Sequence, residues 1–171
     1  MTTSKLCVEA LQTERLILRM WRQEDFDAYA TFYSDEANAK YVGGLMDSEQ
    51  SWRSMALQIG HWQLKGFGYW AVEEKSSGDF VGCVGLWQSP GWPEVELGYW
   101  VTADHQGKGY AFEAAARSLA FAREVARPPS LVSYIDPANT PSIRLAEKLG
   151  ASYEETIELH VHGPHGVYRH F

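Results

Sequence analysis

The spacing of apolar residues changes period repeatedly along this chain, and each change marks a new element. Leu16 to Met20 (LILRM) has the length and composition of a strand. From Gln23 to Tyr33 the apolar residues Phe26, Tyr29, Ala30 and Tyr33 recur at helical spacing. A second helix is expected after Asp47 and Ser48, both suited to capping an N-terminus. Its stripe is Trp52, Met55, Ala56, Ile59 and Trp62, and Gly66 stops it. The pattern then turns strand-like. Tyr69 to Glu74 (YWAVEE) and Phe80 to Trp87 (FVGCVGLW) flank a Ser77-Gly78-Asp79 turn and read as a hairpin. After a Ser89 to Pro93 loop comes the strand Glu96 to Val101 (ELGYWV). A helix follows from about Lys108 to Glu124, with the inner face Phe112, Ala115, Ala116, Leu119 and Ala122. Arg127, Pro128 and Pro129 break it. Leu131 to Ile135 (LVSYI) is a short buried-type strand, and Asn139 to Leu149 is a helix that Gly150 terminates. Two strands, Ser152 to His162 and Val167 to Phe171, close the pattern around Gly163, Pro164 and Gly166. The order β-α-α-β-β-β-α-β-α-β-β predicts an α/β (α+β) fold, a single domain over residues 1–171 around a mixed sheet.

Length and composition agree with that picture and narrow the chemistry. A chain of 171 residues, 45% hydrophobic and 22% charged, suffices for one globular core. The net charge of −7 disfavours nucleic acid as the main partner, because binding phosphates requires a dense basic surface. It mildly favours cationic partners such as amines, although solubility alone also accounts for it. Cys7 and Cys83 lie far apart without a CxxC pair, so no disulfide framework or zinc cage is suggested and both read as reduced thiols. No signal pattern and no membrane-length apolar run is seen, so a cytoplasmic protein is expected.

The most informative segment is Gln106-Gly107-Lys108-Gly109-Tyr110-Ala111, between a strand and a long helix. Glycines there let the backbone approach a ligand closely, and free N–H groups with the helix dipole attract an anion such as a pyrophosphate. Lys108 adds a point charge at the rim. A bare tight connection explains the same glycines. Two familiar nucleotide loops do not fit. A dinucleotide turn would need a third glycine where Phe112 stands, and a triphosphate loop would need Ser or Thr where Gly109 follows Lys108.

The segment does resemble the acetyl-CoA signature of the GNAT acetyltransferases, Q/R-x-x-G-x-G/A, with Gln106, Gly109 and Ala111 in its fixed places. The block HQGKGYAFEAAARSLAFA is similar to the ribosomal-protein-alanine acetyltransferase branch of that family. So are TERLILR (Thr13 to Arg19), ELGYWV and NTPSIRLAEKLGA (Asn139 to Ala151). The resemblance implies a twisted, mostly antiparallel sheet flanked by helices and splayed between its fourth and fifth strands. It implies acetyl-CoA as co-substrate, with its pyrophosphate on the N–H groups of Gln106, Gly107, Lys108, Gly109, Tyr110 and Ala111. It places the pantetheine along Tyr99, Trp100 and Val101, paired as a peptide strand would be, and in contact with Asn139. By the same resemblance the protein is a monomer or homodimer.

Acetyl transfer to an amine needs a base, an oxyanion donor and a proton for the departing thiolate. Free amines are mostly protonated at pH 7, with pKa about 7.7–8.0 for an α-amine and about 10.4 for a lysine. Glu96, on the strand before Gly98-Tyr99-Trp100, is the candidate base, and Glu94, two residues earlier on the same face, is its rival. A partner for an arginine is the plain alternative for Glu96. Ser142 is the candidate acid. Asn139 suits an N-cap and Pro141 a first turn, so a simple capped helix explains this segment too. The resemblance places Ser142 against the coenzyme A sulfur. Many family members use a tyrosine there, which leaves Tyr153 as a minor candidate. The resemblance also implies the backbone N–H of Trp100 or Val101 as oxyanion donor.

Other features weigh less. His160, His162, His165 and His170 crowd the C-terminus, but no cysteine or carboxylate cluster joins them and no metal is expected. They read as solvated strand and turn residues, or as lining of the acceptor pocket. Most tryptophans, Trp52 and Trp62 among them, read as packed; Trp92, in a Gly/Pro loop, is placed to cover the substrate mouth. Neither GxSxG nor HExxH occurs. The reading is an acetyl-CoA-dependent N-acetyltransferase, with protein or peptide N-termini ahead of small amines as acceptor. The alternative is a non-catalytic acetyl-CoA sensor.

Overall fold

The computed structural model describes residues 8–171, which leaves Cys7 outside the described part. Eight strands form one sheet in the order β1-β2-β3-β4-β5-β6-β8-β7. They are β1 (Leu11–Gln12), β2 (Leu16–Arg19), β3 (Tyr69–Glu74), β4 (Phe80–Trp87), β5 (Glu96–Val101), β6 (Val132–Ile135), β7 (Ser152–Glu158) and β8 (Pro164–Arg169). Every neighbouring pair is antiparallel except β5 and β6, which run parallel and share one bridge, Glu96↔Val132. Past that bridge the two strands part, so the expected splay falls here.

The helices are α1 (Phe26–Tyr33), α2 (Glu36–Ala39), α3 (Ser48–Lys65), α4 (Tyr110–Phe121) and α5 (Thr140–Lys148). None of the described helices is long and apolar enough to cross a membrane. One face of the sheet packs on α4, with Leu16, Leu18, Trp70, Val84, Leu86 and Leu97 against Ala114, Ala115 and Leu119. The other packs on α1 and α3, where Tyr29, Phe32, Tyr33 and Met55 meet Ala71, Cys83 and Trp100. Phe32 stacks on Trp100 with centroids 3.8 Å apart. Asp47 and Gln50 make the capping box of α3, and Gly66 ends it in the left-handed conformation, as its sequence implied.

The apolar stripes are rotated from those read in the sequence. On α3, Trp52 is 50% and Ile59 40% exposed, while Ser51, Met55 and Trp62 are buried. Polar groups took the inner positions: Ser51 is fully buried, and Ser54 meets the Tyr29 hydroxyl at 2.8 Å. On α4 the helix begins at Tyr110, and its buried face is Ala114, Ala115, Ser118, Leu119, Phe121 and, just past its end, Ala122. Phe112 and Ala116 are only half-buried. The Phe112 ring lies outward beneath Lys148 Nζ, 4.2 Å from its centroid. The final turn widens to a π-helix over Ala122–Ala126 and closes at Arg127, φ 47°. The last hairpin also differs. β7 stops at Glu158, and β8 starts at Pro164, because Leu159 to Gly163 close a turn through Leu159 N–H to Gly163 O, 2.9 Å.

Candidate functional site

Strand β5 organises the site because its side chains alternate between two helical layers. Glu96, Gly98 and Trp100 face α1 and α3, whereas Leu97 and Tyr99 face α4 and α5. Its backbone alternates as well. Thr102 N–H donates to Val81 O at 2.9 Å, and the register Cys83↔Trp100 turns the Trp100 N–H towards β4. The odd-numbered residues face β6. Val95 O accepts from Val132 N–H at 3.1 Å, and Leu97 O accepts from the Ser133 hydroxyl at 2.7 Å. That hydroxyl occupies the point where the ladder ends. Beyond it the N–H and C=O of Tyr99 and the N–H of Val101 face the gap, while Val101 O accepts from Gln106 Nε2 at 3.2 Å. Of the two oxyanion donors named from the sequence, the Val101 N–H is therefore the one open to the gap.

The glycine turn lies at the wide end of this gap. Gly107 and Gly109 adopt φ of 75° and 82°, values that L side chains resist. The N–H groups of Gly107, Lys108, Gly109, Tyr110 and Ala111 donate to no described residue. A brace that the sequence reading missed holds the turn from behind. Arg15 Nη1 donates to Lys108 O at 2.9 Å, and Glu113 accepts from Arg15 Nε at 2.7 Å, Arg15 N–H at 2.8 Å and the Thr13 hydroxyl at 2.6 Å. The Tyr110 hydroxyl donates to Glu74 on β3. The TERLILR match held a hint of this brace, since Thr13 and Arg15 lie within it.

Glu96 sits at the fork of β5 and β6. Its Oε2 accepts from Trp92 Nε1 at 2.6 Å, and the carboxylate also accepts the backbone N–H of Tyr134. Burial dominates all the same and pushes its pKa up to about 7, with both hydrogen bonds pulling the other way. Glu94 has a different environment. Arg169 grips it with two bonds of 2.9 Å, the Ser130 hydroxyl donates to it, and its pKa is lowered chiefly by Arg169. Glu94 is the arginine-paired carboxylate and Glu96 the one poised near neutrality. Trp92, placed from the sequence over the substrate mouth, is a direct partner of Glu96.

On the other side of β5, Asn139 caps α5 through Ser142 N–H at 3.4 Å, with Pro141 in the first turn. The Tyr99 hydroxyl donates to Ser142 O at 3.1 Å and lies 3.2 Å from Ser142 Oγ. Burial raises the pKa of Tyr99 to about 12, so the phenol stays protonated. The sequence reading used only the backbone of Tyr99 and missed this phenol. Tyr153 stands on the outermost strand, 57% exposed, against Tyr168 and the Thr156 hydroxyl.

The histidines separate. His160 and His162 lie in the turn after β7 rather than on a strand face, and His162 stands edge-on to Trp92 at 5.2 Å. His170 is buried, not solvated. It meets Ser133 Oγ at 3.0 Å, and burial lowers its pKa to about 4. Among the described residues no three His, Cys, Asp or Glu side chains converge as an ion site.

A profile of the acetyltransferase (GNAT) domain matches residues 15–152. The "Uncharacterized N-acetyltransferase p20" of Bacillus licheniformis is 30% identical over 153 residues, which cover 86% of this chain and 84% of that protein. An acetyltransferase structure from Agrobacterium tumefaciens str. C58 superposes with a TM-score of 0.88 at 32% identity, covering 98% of this chain and 96% of that one. RimL, the ribosomal L7/L12 α-N-protein acetyltransferase in complex with coenzyme A, shares the fold at a TM-score of 0.78 and 14% identity, covering 95% and 98%.

Proposed function

Because the chain belongs to the GNAT acetyltransferase family, we propose that it moves an acetyl group from acetyl-CoA to a primary amine, with Glu96 as the base. The reading rests on one observation above all: a half-buried carboxyl at the fork between β5 and β6, held by Trp92 Nε1 at 2.6 Å and without an arginine partner among the described residues, an environment that pushes its pKa up to about 7. A base of that strength is about half ionised at neutral pH and accepts a proton readily.

The residues fit acetyl-CoA. The unused N–H groups from Gly107 to Ala111, at the start of α4, suit a pyrophosphate. Tyr99 and Val101 offer an unpaired strand edge to the amides of a pantetheine arm, and Asn139 stands beside that gap. Bound there, acetyl-CoA supplies an activated thioester carbonyl. Glu96 takes the proton of the incoming ammonium on the α1–α3 face, with Trp92 fixing Oε2. A β5 backbone N–H that faces the gap serves as the oxyanion donor. Ser142 Oγ, backed by the Tyr99 phenol, holds a proton on the opposite face for the departing thiolate. Base and acid thus act from opposite sides of β5. We put a peptide N-terminus ahead of a small amine as acceptor, a preference carried by the resemblance of HQGKGYAFEAAARSLAFA and NTPSIRLAEKLGA to the ribosomal-protein-alanine branch.

The test is calorimetric titration with acetyl-CoA, followed by thiol release against peptide N-termini and small amines. Saturable binding with amine-dependent release is expected, and Glu96→Gln should abolish most release while keeping the binding. Binding without release on every amine would leave a sensor. No binding would overturn the reading.

A further inference from the structure

We propose that the hydroxyl of Tyr69 is a second acceptor-binding group beside Glu96, selecting primary amines by taking an N–H that Glu96 does not reach. The inference rests on the amine reading above. Tyr69 begins β3, two strands away from β5, yet its hydroxyl lies over Gly98. The register explains how. Tyr69 pairs with Gly85, and Gly85 with Gly98, so two glycines in line leave the sheet surface bare. A Cβ on Gly98 would collide with the Tyr69 hydroxyl and fall 2.9 Å from Cζ. The phenol occupies the place of the side chain that Gly98 lacks, between Glu96 and Trp100 on the same face of β5.

Three observations set this tyrosine apart. Its backbone is clamped, because Tyr69 O accepts from Trp21 Nε1 at 2.8 Å and from Trp62 Nε1 at 2.9 Å. Its hydroxyl has no hydrogen-bond partner among the described residues, as is also true of Tyr168 far from the fork, whereas those of Tyr29, Tyr99, Tyr110 and Tyr134 have one. Its environment keeps it neutral: burial first, then the nearby Glu96 carboxylate, hold its pKa well above 10. The residue is half-buried, so this hydroxyl is reachable from the gap and free to bond a ligand that supplies a partner.

The chemistry identifies that ligand. An attacking amine directs its lone pair at the carbonyl carbon. A primary amine then has two N–H bonds left, one for a Glu96 oxygen and one for the Tyr69 oxygen. A secondary amine has only one. Tyr69 therefore fixes the direction of the lone pair, while Glu96 alone carries the proton away.

The experiment compares the unsubstituted protein with Tyr69→Phe on a primary amine that it acetylates. One hydrogen bond to the amine corresponds to roughly a three- to tenfold rise in acceptor KM. The acetyl-CoA Kd should stay unchanged, and the rising limb of kcat/KM should remain near pH 7, because the base is untouched. Gly98→Ala, whose methyl displaces the hydroxyl, should reproduce the KM rise, and the two changes combined should not add. An acceptor KM in Tyr69→Phe equal to that of the unsubstituted protein overturns the proposal, with or without a lower melting temperature. A limb that moves in pH also overturns it, since the hydroxyl would then act through Glu96. If the unsubstituted protein acetylates no amine, the functional reading itself falls and this inference with it.

Discussion

Glu96→Gln is expected to remove activity yet add stability, and the added stability should appear only as pH rises. The carboxyl, ordinarily at 4.5, is raised by burial to about 7 in the folded protein. A raised acid binds its proton more tightly when folded. Its favourable contribution is therefore complete below about 4.5 and is lost as pH rises through about 7. At about 1.4 kcal/mol per pH unit, the ionised carboxylate costs the fold about 3 kcal/mol above that range. Glutamine carries no charge to desolvate. Its amide keeps an acceptor for Trp92 Nε1 but presents a donor where the Tyr134 N–H also points. That mismatch is a constant offset, so the pH dependence of the difference is the observable. His170 titrates in an overlapping window but is common to both proteins and cancels. Thermal unfolding of both should show the difference in Tm moving in favour of the variant by roughly 6–12 °C between about pH 4.5 and pH 8. A difference that stays flat across that range would refute a buried, strained carboxylate and with it the origin of the base strength.

Trp92→Phe deletes the 2.6 Å donor that favours the ionised form of Glu96, so the rising limb of kcat/KM should move up by about 1–2 pH units; a limb still near 7 contradicts the role of the indole. Gly109→Ala forces an L residue into φ 82° and sets a methyl 3.4 Å from Arg15 Nη2. It should lower stability by ~1 kcal/mol and weaken coenzyme A binding by calorimetry, and unchanged affinity in the folded variant would remove the turn from the binding site. His170 has its pKa lowered by burial from 6.5 to about 4, so its contribution to stability is present above 6.5 and lost as pH falls towards 4. His170→Leu should flatten that acid-side loss in urea titrations, and an equally steep loss in the variant would assign it to other groups.

How much of this was legible in one sequence depended on the range of the interactions. The period changes located the strands from β2 to β6, and the caps Asp47, Gly66 and Asn139 marked helix ends, because capping is decided within a few residues. The strand β1 and the four-residue α2 are too short to carry a period. The stripe on α3 was misread because Ser54 finds the Tyr29 hydroxyl and the small Ser51 fits inside with its hydroxyl unpartnered while Trp52 stays out, a choice made by the neighbouring elements and not by α3 itself. The turn at Leu159 to Gly163 shortened β7 for a similarly local reason that polarity alone did not signal.

The candidate site divides along the same line. The sequence by itself determined the glycine turn, the position of Glu96 on its strand and the Asn139–Ser142 helix start, since each follows from residue type and short spacing. Only the tertiary structure decided which carboxylate is the free one. Glu94 and Glu96 are alike in sequence, and Arg169, 75 residues away along the chain, takes the first while Trp92 and the end of the β5–β6 ladder bury the second. It likewise turned the Val101 N–H towards the gap and that of Trp100 towards β4, through the hydrogen-bonding phase of β4. It also brought the phenols of Tyr99 and Tyr69 to opposite faces of one strand. Strand register and burial are properties of pairs of distant segments. They fix which backbone groups are unused and which charges are desolvated, and the chemistry of the site depends on both.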